Sequence, residues 1–255
     1  MGRDGQRDSL PGVRSKRKPT LVLTHSLALD AQAHYVSVKT ECRVTGSDVQ
    51  RSYDVVADEY VRRIYDELKG KPLDRELLDR FGARVRGTGV ACDMGCGPGQ
   101  IARYLHERGV QVLGVDLSPE MVSRARQLNP AIEFRTGNML ALDVADESWG
   151  GIAAFYSIIH IPRADVVRAL RELSRVLRRE GLLLLAFHVG DQVLHLDEWM
   201  GHEVSVDFVF FRSDEMAGYL TAAGFEIEEI IERDPYPDVE HQSRRAYIFV
   251  HKPSA

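Results

Sequence analysis

Val90-Ala91-Cys92-Asp93-Met94-Gly95-Cys96-Gly97-Pro98-Gly99-Gln100 is the stretch that decides the fold. An apolar segment of strand character enters a turn with glycine at every second position, and a helical pattern opens at Gln100. Glycine lets the backbone turn sharply and lets a ligand approach where a Cβ would collide. Twenty-one residues beyond Gly95, at the end of the next strand-like segment, stands Asp116. An acid there is placed to accept hydrogen bonds from two vicinal ribose hydroxyls. Turn and acid together predict a nucleoside ligand at the carboxyl ends of parallel strands.

Outward from this turn the chain alternates strand and helix. Apolar steps of three and four at Tyr53, Val56, Ala57, Tyr60, Ile64 and Leu68 predict a helix over about 48–69, and a second follows over 74–85. Strands are expected at 90–94, 111–116, 132–135, 151–156 and 182–188, with helices at 100–108, 119–128 and 162–179. Ser118 before Pro119 reads as an N-cap followed by proline at the first helical position, Ser213 as a second cap, and Gly224 as a helix stop. The run Leu182–Phe187 has no polar face and belongs inside a sheet. After it, 189–212 is long for a connection and alternates at Val193, His195, Asp197 and at Val204, Val206, Phe208, as a small hairpin would. Two further strands are expected at 225–233 and 244–251. The fold so predicted is α/β and doubly wound, a mostly parallel seven-stranded sheet with N-terminal helices and a lid after the fifth strand.

The glycine spacing narrows the nucleoside. A dinucleotide fingerprint would put its third glycine at position 100, where this chain has Gln100. Instead, Asp93, Gly95, Gly97 and Gly99 resemble the first motif of the class I S-adenosylmethionine-dependent methyltransferases, an acid in the strand followed by G-x-G-x-G. Tyr53-Asp54-Val55-Val56-Ala57-Asp58-Glu59-Tyr60 is similar to the Y-D-x-x-A-x-x-Y helix that closes over the methionine end of the cofactor in many members. Gly137-Asn138-Met139 stands where the family usually has G-D before an adenine contact, with Asn138 in place of the acid. The resemblance spans about 48–253 and leaves the first 47 residues uncovered. It implies S-adenosylmethionine as cofactor, held by Tyr53, Tyr60, Asp93, Gly95, Cys96, Gly97, Gly99, Asp116, Leu117, Met121, Asn138, Met139 and Phe155.

It also places Ala154–His160 against the methyl group. The Asp-Pro-Pro-Tyr and Asn-Pro-Pro-Phe motifs of enzymes that methylate DNA bases or protein glutamine are missing there. In-line methyl transfer mainly needs alignment, which supplies roughly 7–11 kcal/mol, whereas a general base supplies about 10²- to 10⁴-fold. If a base is used, His160 and His188 sit at strand ends where ligands bind, and His195 and His202 ride on the lid. His160 is the first candidate. Tyr156, His195 and Trp199 are expected to contact the acceptor, and the apolar lid side chains, Leu196, Met200 and Phe210 among them, point to a partly apolar or aromatic small molecule.

Composition sets outer limits. The 255 residues are 44% hydrophobic and 28% charged, which excludes collagen, wholesale disorder and a disulfide scaffold. No apolar run is long enough to span a bilayer. Formal net charge is -5, yet the first twenty residues hold six basic and two acidic side chains, which leaves -9 on the remainder. A domain so negative repels phosphate backbones, so a nucleic-acid substrate is not expected, and the arginines of 163–179 read as a solvated helix face. Cys42, Cys92 and Cys96 form no disulfide frame or zinc pair, and no metal is expected. Basic residues followed by Pro11 and Gly12 do not make a secretory signal, so the expected compartment is the cytoplasm and the expected assembly a monomer or homodimer. Domain organisation is read as a disordered basic arm over 1–20, an extension without clear period over 21–47, and a methyltransferase domain over 48–255. Two alternatives remain open at this level: an NAD(P)-dependent oxidoreductase, and a nucleoside-binding regulatory protein without turnover.

Overall fold

The computed structural model describes Met1, residues 36–39 and residues 44–254. The expected basic arm beyond Met1 and most of the 21–47 extension lie outside the described residues. Seven strands form one sheet in the order β4 (Glu133–Thr136), β3 (Val112–Asp116), β2 (Ala91–Met94), β5 (Trp149–Phe155), β6 (Leu177–His188), β10 (Arg245–His251) and β9 (Glu226–Arg233). The first five pair in parallel, and β10 is antiparallel to both neighbours. Successive residues of β6 face opposite sides: Leu183, Leu185 and Phe187 join one core, while Leu182, Leu184 and Ala186 join the other. This two-sided burial explains the absence of a polar face in the sequence run.

Helices cover both faces. α1 (Gly46–Ile64), α4 (Pro119–Leu128), α5 (Arg163–Val176) and α6 (Ser213–Ala222) accompany α2 (Pro72–Val85) and α3 (Gln100–His106). The first expected helix is split. α1 opens two residues earlier, capped by Thr45, whose hydroxyl accepts from the Asp48 amide while the Asp48 carboxylate accepts from the Thr45 amide. It stops at Ile64, and a 3₁₀ turn over Glu67–Gly70 leads to Lys71, whose backbone stays outside the helical region before Pro72. Ser118 caps α4 as expected, accepting from the Met121 amide at 3.1 Å. Ser213 does not cap: it is the first residue of α6, and its hydroxyl donates to Glu232. Gly224, at φ +88°, does follow the helix end. Residues 177–179, expected in a helix, begin β6 instead, where Leu177 pairs with Trp149.

The lid is a second sheet. β7 (Val193–Trp199) and β8 (His202–Val209) form the expected antiparallel hairpin, and β1 (Val36–Lys39), inside the segment that showed no period, adds a third strand against β7. α1 packs on β8. Among the described residues, no helix is long and apolar enough to cross a membrane.

Candidate cofactor and acceptor site

The carboxyl ends of β2, β3, β4, β5 and β6 open into one cavity of about 380 Å³, roofed by α1 and the lid. Its nucleoside side is built by backbone turns. Asp116 ends β3 with each carboxylate oxygen holding one amide, Gly97 N–H at 2.8 Å and Ser118 N–H at 2.8 Å. Burial pushes its pKa up to about 6 against the pull of those amides, with Asp54 adding to the rise. Each oxygen keeps lone-pair capacity for a ribose hydroxyl. Leu117, Asn138, Met139 and Leu140 line the cavity beside it. The Asn138 side-chain oxygen accepts from the Leu140 amide at 2.9 Å, which shapes the turn after β4.

The three motif glycines do different work. A Cβ on Gly97 would point into open space, no nearer than 3.7 Å to a Tyr60 ring carbon. On Gly95 it would lie 2.2 Å from Cβ of Ser157, and on Gly99 2.8 Å from the Phe134 ring. Gly97 therefore gives a ligand room, Gly95 joins two strand ends, and Gly99 seats α3 against β4.

Several expected contacts are corrected. Asp93 does not border the cavity: it is buried, and its carboxylate accepts from the Ala102 amide at 2.9 Å, anchoring the start of α3. Burial pushes its pKa up to about 8. Met121 is wholly in the core, and Gly99 is packed behind the turn. His195 also lies off the cavity, with Nδ1 2.6 Å from Asp207 and Nε2 2.9 Å from Asp197. His202, exposed at the start of β8, does not line it either.

Tyr53, Tyr60, Cys96, Phe155, Tyr156, His160, His188 and Trp199 do line it. Tyr53, Tyr60, Trp199, Phe208 and His160 meet edge to face, with ring centroids 5.0–5.8 Å apart. His160, in the 3₁₀ turn after β5, has its ring fixed from both ends. Nδ1 lies 3.0 Å from the Asp207 carbonyl, which can only accept, so Nδ1 carries the proton. Nε2 then accepts from the Tyr53 hydroxyl at 2.7 Å. Burial lowers the imidazole pKa to about 4. His188 stacks on Phe210, with centroids 5.0 Å apart, and Nδ1 is 2.8 Å from the Ser243 hydroxyl. Burial first, then Arg245, His241 and Lys71, holds its pKa well below the ordinary range.

Ser157, inside the stretch expected against the methyl group, lies on the cavity wall, whereas sequence reasoning missed Gln100, Lys71 and Arg245, also on that wall. Position 100 was used only to exclude a dinucleotide. Lys71 and Arg245 carry no motif, and lysine and arginine are by default surface residues. Of six buried side-chain polar atoms without a hydrogen-bond partner among the described residues, four belong to residues that line this cavity: Gln100 Oε1, Ser157 Oγ, Trp199 Nε1 and Arg245 Nε. Such a concentration marks the place of a polar ligand. With the open face of Gly97 and the Asp116 carboxylate, the residues present fit an adenosyl amino acid.

A family profile described as a methyltransferase domain matches residues 91–181. The chain is 31% identical over 143 residues to phosphatidylethanolamine N-methyltransferase of Cereibacter sphaeroides, covering 53% of this chain and 68% of that protein. The chain belongs to the class I S-adenosylmethionine-dependent methyltransferases. S-adenosylmethionine is the cofactor of this family, and membership sets aside the oxidoreductase alternative. A tRNA 5-carboxymethoxyuridine methyltransferase of Escherichia coli is 33% identical over 153 residues, 54% of this chain and 56% of that one. The first curated relatives are matched over only 49–62% of their length. In fold, the chain is similar to Burkholderia thailandensis 1,6-didemethyltoxoflavin N1-methyltransferase, solved with its acceptor and S-adenosylhomocysteine, at TM-score 0.62 and 20% identity over 82% of this chain and 87% of that one.

Proposed function

We propose that this methyltransferase transfers the methyl group of S-adenosylmethionine to a small, partly aromatic acceptor. Asp116, Leu117, Asn138 and Met139 hold the nucleoside, Gly95, Cys96, Gly97 and Phe155 border the amino-acid end, and Tyr156 and Trp199 contact the acceptor. The observation that carries this reading is the aromatic wall of Tyr53, Tyr60, Trp199 and Phe208, which leaves a cavity of small-molecule size with flat apolar surfaces. The -9 charge outside the first twenty residues also disfavours a phosphate backbone as acceptor.

The cofactor supplies an already activated methyl group on a cationic sulfur. Alignment is what the chain must add. His160 was expected as a base, but its lone pair is committed to Tyr53. With a pKa of about 4, taking up a proton at pH 7 costs about 4 kcal/mol. We therefore assign His160 a positioning role: it orients the Tyr53 hydroxyl, and the Asp207 carbonyl fixes its tautomer. His188, with a depressed pKa and its ring against Phe210, forms wall rather than proton acceptor.

The test is incubation with labelled S-adenosylmethionine and parallel panels of phenols, amines and enolisable acids, bulk tRNA, and phosphatidylethanolamine vesicles, read by mass spectrometry. Label in one or more small molecules is expected. Label confined to tRNA or lipid would overturn the small-molecule reading while leaving family membership intact.

A further inference from the structure

Two tyrosines of the cavity wall start chains of hydrogen bonds, and the two chains end differently. The first runs from the Tyr53 hydroxyl to His160 Nε2 and on from Nδ1 to the Asp207 carbonyl. A carbonyl at the end of a chain accepts a hydrogen bond but takes no proton at neutral pH. The second starts at Tyr156, just beyond β5. Its hydroxyl lies 3.3 Å from that of Tyr247, which donates to the Asp74 carboxylate at 2.8 Å. Arg233 Nε also donates to the Tyr247 oxygen, at 3.0 Å. Tyr247 has one proton and gives it to Asp74, so Tyr156 is the donor between the two tyrosines, and its own oxygen keeps lone-pair capacity for a further donor.

The backbone holds Tyr156 under strain. Its φ of +54° lies in the left-handed region that bulky side chains rarely adopt, while its amide still donates to the Ala186 carbonyl of β6 at 2.9 Å. The next residue, Ser157, packs on Gly95, so Tyr156 stands beside the glycine turn. Behind it the charges balance. Lys71 pairs with Glu67 at 2.5 Å, Arg245 with Glu240 at 3.4 Å and Arg233 with Asp74 at 2.9 Å. Asp74 and Tyr247 are buried off the cavity wall. The second Asp74 oxygen has no hydrogen-bond partner, and burial, helped by Glu67, outweighs Lys71, Arg233 and Tyr247 in moving this carboxyl toward its neutral form. Burial also pushes the Tyr156 hydroxyl up to about 12, so it stays protonated and can only pass a proton on as it receives one.

We infer that the methyl acceptor is a phenol, and that Tyr156 takes its hydroxyl proton and hands one on through Tyr247 to Asp74. The inference rests on the reading of Tyr156 as an acceptor contact in a small-molecule site. A chain that ends in a carboxylate serves an acceptor that must lose a proton. A neutral aromatic amine attacks with the lone pair it already has, and a carboxylic acid is ionised at neutral pH, whereas a phenol, with a pKa of about 10, is not. The rings of Tyr53, Tyr60 and Trp199 offer flat partners to an aromatic acceptor. As the phenol oxygen bonds the methyl carbon, the C–S bond breaks with its electron pair left on sulfur. The O–H proton goes to the Tyr156 oxygen, the Tyr156 proton to Tyr247 and the Tyr247 proton to Asp74. The charged cluster becomes one unit more positive as the sulfonium loses its charge, so the total at the site is unchanged.

Binding tests the contact, and turnover tests the chain behind it. In calorimetry on the full chain saturated with S-adenosylhomocysteine, Tyr156→Phe should weaken 4-methylphenol at least fivefold and leave 4-fluorotoluene, which has no hydroxyl, within twofold. With S-adenosylmethionine at pH 7.5, Tyr247→Phe and Asp74→Asn should each lower kcat for 4-methylphenol at least tenfold. The loss should shrink below threefold with 4-nitrophenol, most of which is already ionised at that pH. Tyr247→Phe keeps the buried ring, so it carries the test if Asp74→Asn does not fold. Equal losses for both phenols, no loss for either, or 4-methylphenol binding untouched by Tyr156→Phe would overturn the inference. Methylation of amines or acids but of no phenol would also overturn it and leave the small-molecule reading standing. Methylation of no small molecule would bring down both.

Discussion

The two sides of the cavity are built by opposite means. The nucleoside side comes from residues 94–140, from turns at the ends of three adjacent parallel strands, and much of what it offers a ligand is backbone or one carboxylate set in backbone. The acceptor side draws side chains from as far apart as Val44 and Arg245, carried on α1, the 3₁₀ turns, β6, the lid and the start of β10. Backbone turns demand particular residues at fixed spacing, so they leave a motif. A wall of side chains demands only size and polarity at a point in space, and many sequences satisfy that.

The largest expected effect breaks the nucleoside side at one atom. Gly97→Val places a branched side chain in the open space beside Tyr60, at a φ of +50° that such residues rarely adopt. Affinity for S-adenosylhomocysteine should fall at least a hundredfold by calorimetry. Gly95→Ala should show the reverse balance, because its Cβ would collide with Ser157: overpacking costs about 1–3 kcal/mol of stability, seen as a lower unfolding temperature. Equal losses of binding and stability in both variants would erase the division of labour among the glycines.

Asp116 comes next. Asp116→Ala removes charge-assisted hydrogen bonds to a ribose diol, and affinity should drop ten- to a hundredfold, about 1.5–3 kcal/mol. The variant also frees the Gly97 amide, so part of the loss reaches the ligand through the glycine turn. A pH series sharpens the point. Because the folded pKa is raised to about 6 from 3.8, the folded protein holds this proton more tightly than the unfolded chain, so the group's contribution to stability falls as pH rises through that window. Cofactor affinity should move the other way, rising as the carboxylate forms near pH 6. Titrations at pH 5 and 7.5 would show it, and a flat profile would remove Asp116 from the ribose.

These two predictions concern what the sequence already displayed. The strand–turn–helix, the acid at the end of β3, the Ser118 cap and the alternating lid hairpin were legible because each follows from local spacing or capping chemistry. Leu177 was misplaced because the pattern of α5 runs smoothly into β6, and only pairing with Trp149 turns it into strand. Asp93 and Gly99 were read as ligand contacts because a motif records which residues stand together without recording which serve the turn itself. Lys71 and Arg245 lie 174 positions apart, and only the packing of α2 on β6, the strand that pairs with β10, brings both near Tyr156.

A smaller effect tests the acceptor side. If His160 orients Tyr53, His160→Ala should lower turnover about tenfold and raise the acceptor KM, and Tyr53→Phe should reproduce both changes. Neither should alter S-adenosylhomocysteine affinity more than about threefold, since the Asp116 contacts remain. A group with a pKa of about 4 stays neutral above pH 5, so its removal should leave the rate profile between pH 5.5 and 8 unchanged in shape. A fall of 10²- to 10⁴-fold, with loss of an acidic limb near pH 6.5, would restore His160 as the base.

The smallest expected effect separates the two sides by truncation. Removing residues 1–20 takes away the net positive segment but neither β1 nor the start of α1, so cofactor affinity should stay within about twofold of the full chain. Removing residues 1–43 is a different operation. It deletes β1, which pairs with β7 from Val36 opposite Leu196 to Lys39 opposite Val193, and exposes that edge of the lid. It leaves Val44, whose amide donates to Asp207 at 3.3 Å, at a free end, and Asp207 supplies the carbonyl that fixes His160. The longer truncation should therefore raise the acceptor KM while the affinity for S-adenosylhomocysteine changes by less than about threefold. Equal loss of both in the longer truncation would mean that lid and nucleoside turn are coupled. The cavity would then behave as one cooperative unit, however differently its two sides are built.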